Sequence, residues 1–116
     1  IIDVFIKEMV LDTNFLKKLI AFSARGLYRR LTIEELNEIE FYLKGVQFWG
    51  FFELSILANI GDKLDNSIIN NIIEDLRYDK AYYENNLYYR VLIYRFFYKI
   101  IFNIQKIVIF ADRKKQ

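Results

Sequence analysis

The sequence predicts an all-α fold built from antiparallel helical hairpins, and three observations carry that expectation. Among 116 residues there is no proline and only four glycines, so little interrupts a helical pattern. Apolar residues recur at helical steps in one segment after another, without strict period-two alternation. Capping residues stand where those patterns begin.

The first helix is expected over Ile1 to Val10, where Val4-Phe5 and Glu8-Met9 share one face. Asp12-Thr13-Asn14 is a cluster of capping residues and reads as a short turn. A second helix follows from Asn14 to Arg29. Phe15, Leu16, Leu19, Ile20, Phe22 and Leu27 form its apolar side, Gly26 sits near its end, and Arg29-Arg30 suit a C-terminal dipole. Thr32 reads as the N-cap of the third helix, with Glu35 closing a capping box. Leu36, Ile39, Leu43 and Val46, at steps of 3, 4 and 3, give it one face, and it ends near Lys44-Gly45.

The fourth helix is expected over Gln47 to Ile60. It is apolar nearly all round, so it must be buried or lie in an interface. Gly61 fits a C-terminal cap. Asp65-Asn66-Ser67 opens a fifth helix, whose stripe is Ile68, Ile69, Ile72, Ile73 and Leu76 and which is expected to continue to Tyr83. Asn85-Asn86 marks a break, and the last helix runs from Leu87 to Phe110. Helix starts near 32, 47, 66 and 87 put alternate starts about 34 and 40 residues apart, near the periods of helical repeats. Short helices with tight connections favour stacked antiparallel neighbours; a compact bundle is the other arrangement that fits.

The length bounds the chain to one domain, residues 1–116. It begins with Ile, with the apolar pattern already running, so a C-terminal fragment of a longer protein is expected. No cysteine means no disulfide framework and fits a reducing compartment; no histidine removes the commonest metal ligand and general base. The three serines thus have no histidine to activate them. Glu34, Glu35, Glu38 and Glu40 read as a solvated helix face. No enzyme and no cofactor are expected.

The net charge is +2, but residues 86–116 hold seven basic side chains against the single acid Asp112. That pattern is either an anion-facing surface or a solvated face with a basic end. Tyr88 to Phe110 is long enough to span a bilayer. Arg90, Arg95, Lys99 and Lys106 argue against it, since each central charge costs about 2.5–3.5 kcal/mol on insertion.

Tyr42-Leu43, then Phe48-Trp49-Gly50-Phe51-Phe52-Glu53-Leu54, then Leu57-Ala58-Asn59 resemble the C-terminal domain of the Rgg/GadR/MutR family of transcriptional regulators. Thr32 with Glu34-Glu35, and an Arg-containing helix from Arg90 to Gln105, are in the same style. The resemblance implies a cytoplasmic, TPR-like right-handed repeat array that forms a homodimer. It also implies a short apolar signalling peptide on the concave face, and DNA contacted only through an N-terminal helix-turn-helix domain absent from this sequence. The family has further helices after the Arg-containing one, whereas this chain stops at Gln116.

Phe48, Phe52, Ser55 and Asn59 fall at steps of 4, 3 and 4 along the fourth helix. Asn59 could clamp a peptide main chain through its amide, or it could trim the helix end beside Gly61. Arg95, Lys99, Asn103 and Lys106 form a second stripe, opposite Val91, Phe97, Ile101, Ile104 and Val108. Asn103 and Arg95 could hold peptide amides and a carboxylate, or the stripe is a solvated polar face. Glu53 lies amid apolar residues and needs an ion-pair or hydrogen-bond partner on a neighbouring helix, with Arg25, Arg29 and Arg90 as candidates. Trp49 reads as a packing anchor between helices rather than a ligand platform, and with Gly50 and Glu53 it forms a structural signature. The 18% aromatic content exceeds what one small domain hides, so a homodimer is expected, chiefly through Tyr88 to Phe110.

Overall fold

The computed structural model describes residues 15 and 17–115. The expected helix over Ile1 to Val10 and the turn at Asp12-Thr13-Asn14 lie outside the described residues. The order is α1 (17–25), α2 (Ile33–Lys44), α3 (Phe51–Ile60), a 3₁₀ turn (Gly61–Lys63), α4 (Asn66–Tyr78), α5 (Lys80–Glu84) and α6 (Leu87–Lys115). Among the described residues there is no strand. The fold is all-α.

Helix α2 begins as its sequence dictates. Thr32 Oγ1 accepts from the Glu35 N–H at 3.1 Å, and Glu35 Oε1 accepts from the Thr32 N–H at 3.0 Å. Arg29 adds a two-pronged bond to the same carboxylate, at 3.1 and 3.0 Å. Together they tie the α1–α2 connection to the first turn of α2. The Arg29 guanidinium is the main reason the Glu35 carboxyl is held down to about 2; the Thr32 N–H adds to it.

Four boundaries differ from expectation. Helix α1 stops at residue 25, not 29, and the chain turns at Gly26, where a Cβ would press on Ile60. Helix α3 starts at Phe51, not Gln47. Gly50 is extended at its N-cap (φ −89°, ψ −173°), which leaves Trp49 in the connection. Helix α4 stops at Tyr78, since Asp79 leaves the helical region (φ −102°, ψ 29°), and α5 then carries Tyr83 inward. Helix α6 runs past Phe110 to Lys115.

Helix α3 is the core of the fold. Leu54, Ile56, Leu57, Ala58 and Ile60 are all buried on it. Leu19 of α1, Ile39 and Leu43 of α2, and the α4 stripe Ile68, Ile69, Ile72 and Leu76 join the same cluster. Its most extensive partner is α6, through Leu92, Ile93 and Phe96. Gly61 is the C-cap of α3, as expected from its place. It lies in the right-handed region (φ −57°, ψ −29°), and its lack of a side chain serves packing. A Cβ there would overlap the fully buried Phe96 ring.

Gly61→Ala should therefore cost about 1–3 kcal/mol by overpacking. Gly45→Ala is the control, since a Cβ there meets only the Tyr42 carbonyl at 3.7 Å. Equal urea midpoints for the two variants would refute the ring-on-glycine contact.

Glu35 predicts an acid limb. Its folded pKa of about 2 lies below the ordinary 4.5. Its contribution is complete above about 4.5 and disappears as pH falls through about 2, because the unfolded chain takes up the proton first. Glu35→Gln should flatten stability against pH in that window, as read by denaturant titrations at a series of pH values.

Candidate functional site

The Trp-Gly-Phe-Phe-Glu run is an architectural knot. Trp49 is 3% exposed. Its indole Nε1 donates to Asp75 Oδ2 of α4 at 3.1 Å, and its carbonyl accepts from the Tyr83 hydroxyl of α5 at 2.9 Å. Burial pushes the Tyr83 phenol up to about 12. Phe48, expected at the head of the α3 stripe, precedes the helix and packs on Tyr82 and Tyr83, with ring centroids 5.7 and 6.4 Å away.

Glu53 is partnered by none of the three arginines considered from sequence. Its Oε2 accepts from the Gly50 N–H at 3.1 Å, capping its own helix, and its Oε1 accepts from the Tyr42 hydroxyl at 2.9 Å. Burial, and then Glu53, raise the Tyr42 phenol above its ordinary value. Arg25 and Arg29 are drawn instead to Glu35.

A second polar cluster forms where α3 ends against α6. The last carbonyls of a helix need donors from outside it. Lys99 Nζ reaches across from α6 to the Asn59 carbonyl at 2.6 Å. Asn103 Nδ2 donates to the Asp62 carbonyl and to Asp62 Oδ2, at 3.3 and 3.2 Å. Lys63 Nζ donates to the Gly26 carbonyl. Asn59 Nδ2 donates to Ser23 Oγ at 3.4 Å, and Ser23 Oγ in turn donates to the Ile20 carbonyl at 2.9 Å. Asp62 Oδ1 is buried without a hydrogen-bond partner among the described residues. Desolvation lowers the Lys99 pKa, and Lys63 and Arg95 lower it further against the pull of Asp62.

The structure thus brings Asn59 and Asn103 to one junction, both side-chain amides engaged within the chain. Arg95 is exposed nearby, beside Val91, Tyr94, Tyr98 and Lys99 on a shallow groove of about 420 Å³. Ser55 and Phe52 stand farther back along α3. Ser55 Oγ donates to the Phe51 carbonyl at 2.7 Å, and Phe52 meets the Tyr42 ring edge-on at 6.0 Å.

The faces of α6 differ from expectation in part: Arg95 is exposed, as a solvated polar face requires, and Phe97 is half-buried against the core, but the other described positions exchange. Lys99 and Asn103 lie on its half-buried inner side with Leu92 and Phe96, while Val91, Ile101, Ile104 and Val108 stand exposed. The spacing of Leu92, Phe96, Lys99 and Asn103, at 4, 3 and 4, held that stripe all along.

A cavity of about 460 Å³ between α4, α5 and α6 was not anticipated. Ile73, Leu76, Tyr83, Ile93 and Phe97 floor it, and Arg77, Lys80 and Arg90 stand at its rim. Those cations come from three helices, so no spacing in the sequence groups them.

No protein-family model, curated protein or solved structure matches this chain.

Glu53→Ala removes the cap and leaves the half-buried Tyr42 hydroxyl without its acceptor. The expected loss is about 1–3 kcal/mol. Tyr42→Phe, which removes only the second bond, should lose less. Chemical denaturation of both variants checks the order, and a near-parental Glu53→Ala would contradict it.

Proposed function

We propose that this chain is the regulatory and dimerisation domain of a transcriptional regulator, of the kind its Trp-Gly run resembles. On this reading it is a non-enzymatic, cytoplasmic, TPR-like right-handed stack of hairpins, with DNA contacted only through an N-terminal domain. The observation that carries the proposal is the division of α6 into a buried face and an exposed apolar one, which suits a surface made for association. Among the described residues no helix is long and apolar enough to cross a membrane.

A short apolar signalling peptide is the proposed ligand. Asn59 supplies the main-chain clamp, with Asn103 and Arg95 beside it and Phe52 and Ser55 along the same helix. The bond from Asn59 to Ser23 is at the long limit, 3.4 Å, so exchanging it for a peptide amide costs little. The second reading is a purely structural dimerisation domain without a ligand. The internal engagement of the Asn59 and Asn103 amides favours it.

Calorimetry with short apolar peptides, on the full-length protein and its Asn59→Ala variant, separates the two. The clamp predicts a loss of about 1–3 kcal/mol, roughly five- to over a hundredfold in affinity, with helicity unchanged. Equal affinities would remove Asn59 from the site, and no binding by either protein would leave the structural reading. A helix-turn-helix encoded upstream of Ile1 is the matching test of the regulatory role.

A further inference from the structure

Helix α6 carries two apolar stripes, and only one is used by the described fold. The inner one holds Leu92, Ile93, Phe96 and Ile100, against α3 and its neighbours. The outer one is Leu87, Val91, Tyr94, Tyr98, Ile101 and Val108, each about half or more exposed. Those positions alternate at four and three residues, with Gln105 completing the one missing step. That is a 3.5-residue repeat held over three heptads, the seam of a coiled coil rather than the broader face of a helix in a globular core.

The exposed area is too large for an ordinary surface. Ten large apolar side chains of α6 stand 45–73% exposed. Together they present on the order of 1,000 Å², against a few hundred Å² for a typical monomer's largest patch and roughly 800 Å² per partner in a standard interface.

Charge sets the orientation. With Leu87, Tyr94, Ile101 and Val108 at d and Val91, Tyr98, Gln105 and Asp112 at a, Arg90 falls at g and Arg95 at e. A parallel pair sets each g beside the e of the next heptad across the seam. Arg90 would face the partner's Arg95, twice by symmetry, and Asp112 would face its own copy. An antiparallel pair removes both repulsions. It sets Val91 against Val108, Tyr98 against Ile101, and the Tyr94 hydroxyl within reach of the Gln105 amide. It also brings Arg90 to the end of the partner that carries Asp112.

We propose that a second copy of this chain docks along this seam as an antiparallel helix pair, α6 against α6. The inference rests on the self-association in the proposed function and goes beyond it by assigning the surface and the direction.

The chain has no cysteine, so single thiols report the pairing cleanly. Val91→Cys and Val108→Cys are placed in separate copies of the full chain, mixed, and oxidised mildly. The antiparallel seam predicts a 91–108 disulfide in the mixture and no cross-link in either variant alone. Cross-linked Val91→Cys homodimers would mean a parallel pair and overturn the proposal. A dimer by light scattering that forms neither link would place the contact elsewhere, overturning the proposal while the dimerisation reading stands. A monomeric parent at micromolar concentration would overturn both. Ile101→Asp should convert the dimer to a monomer with an unchanged circular dichroism spectrum. A dimer that survives it would also refute the seam.

Discussion

The described fold depends on one crossing, where α6 passes the end of α3 at Gly61. Helix α3 is apolar on nearly every side, so it cannot present a face to water and must be surrounded. The Phe96 ring fills the space left by the absent side chain of Gly61. That packing holds the backbone right-handed through the 3₁₀ turn rather than in a left-handed cap, so the terminal carbonyls need donors from elsewhere. Lys99 and Asn103 supply them from successive turns beyond Phe96. Steric fit and polar satisfaction are thus parts of a single contact, and losing either would expose the other.

Much of this architecture was legible in the residues, and what was missed has identifiable causes. The Thr32–Glu35 box, the isoleucine stripe of α4 and the break at Asn85-Asn86 each rest on local chemistry that the chain carries within a few residues. Glu53 does take a hydrogen bond from a neighbouring helix, through Tyr42, but its capping role was missed because its partner there is a glycine. Half of the usual Ser/Thr-x-x-Glu signature is missing there, and an arginine looked the natural mate for a lone carboxylate. The early end of α4 has a tertiary cause: Tyr83 turns in to reach the Trp49 carbonyl, 34 positions away. Helix α6 misled for a different reason. Two apolar stripes share one helix, and periodicity alone cannot say which faces inward.

The residues that carry the family resemblance are mostly structural here. Trp49 bridges to α4 and α5, Gly50 leaves room for the Glu53 carboxylate, which a Cβ would meet at 3.2 Å, and Glu53 caps that helix while holding Tyr42. Their chemistry is specific because each has a particular bond or turn to make, so they speak to fold more than to ligand. Asn59 is the exception. Its main-chain carbonyl is committed to Lys99, whereas its side-chain amide holds one long bond among the described residues.

Lys99 shows what that crossing costs and what it secures. Desolvation lowers its pKa, so its charged form is held at some expense. An apolar residue in its place would pack without that penalty but would leave the Asn59 carbonyl at the helix end without a donor. The ammonium also discriminates between registers. A slip of α6 by one turn would carry the Phe96 ring off Gly61 and Lys99 off its carbonyl in the same step, whereas apolar contacts alone would tolerate the shift far better. With the inner face locked in this way, the outer stripe from Leu87 to Val108 is held at a fixed angle to the rest of the fold. A stripe held in this way would lose less entropy on the proposed association than a mobile one, so the polar contacts at the crossing would also pre-organise the surface on the opposite side of the same helix.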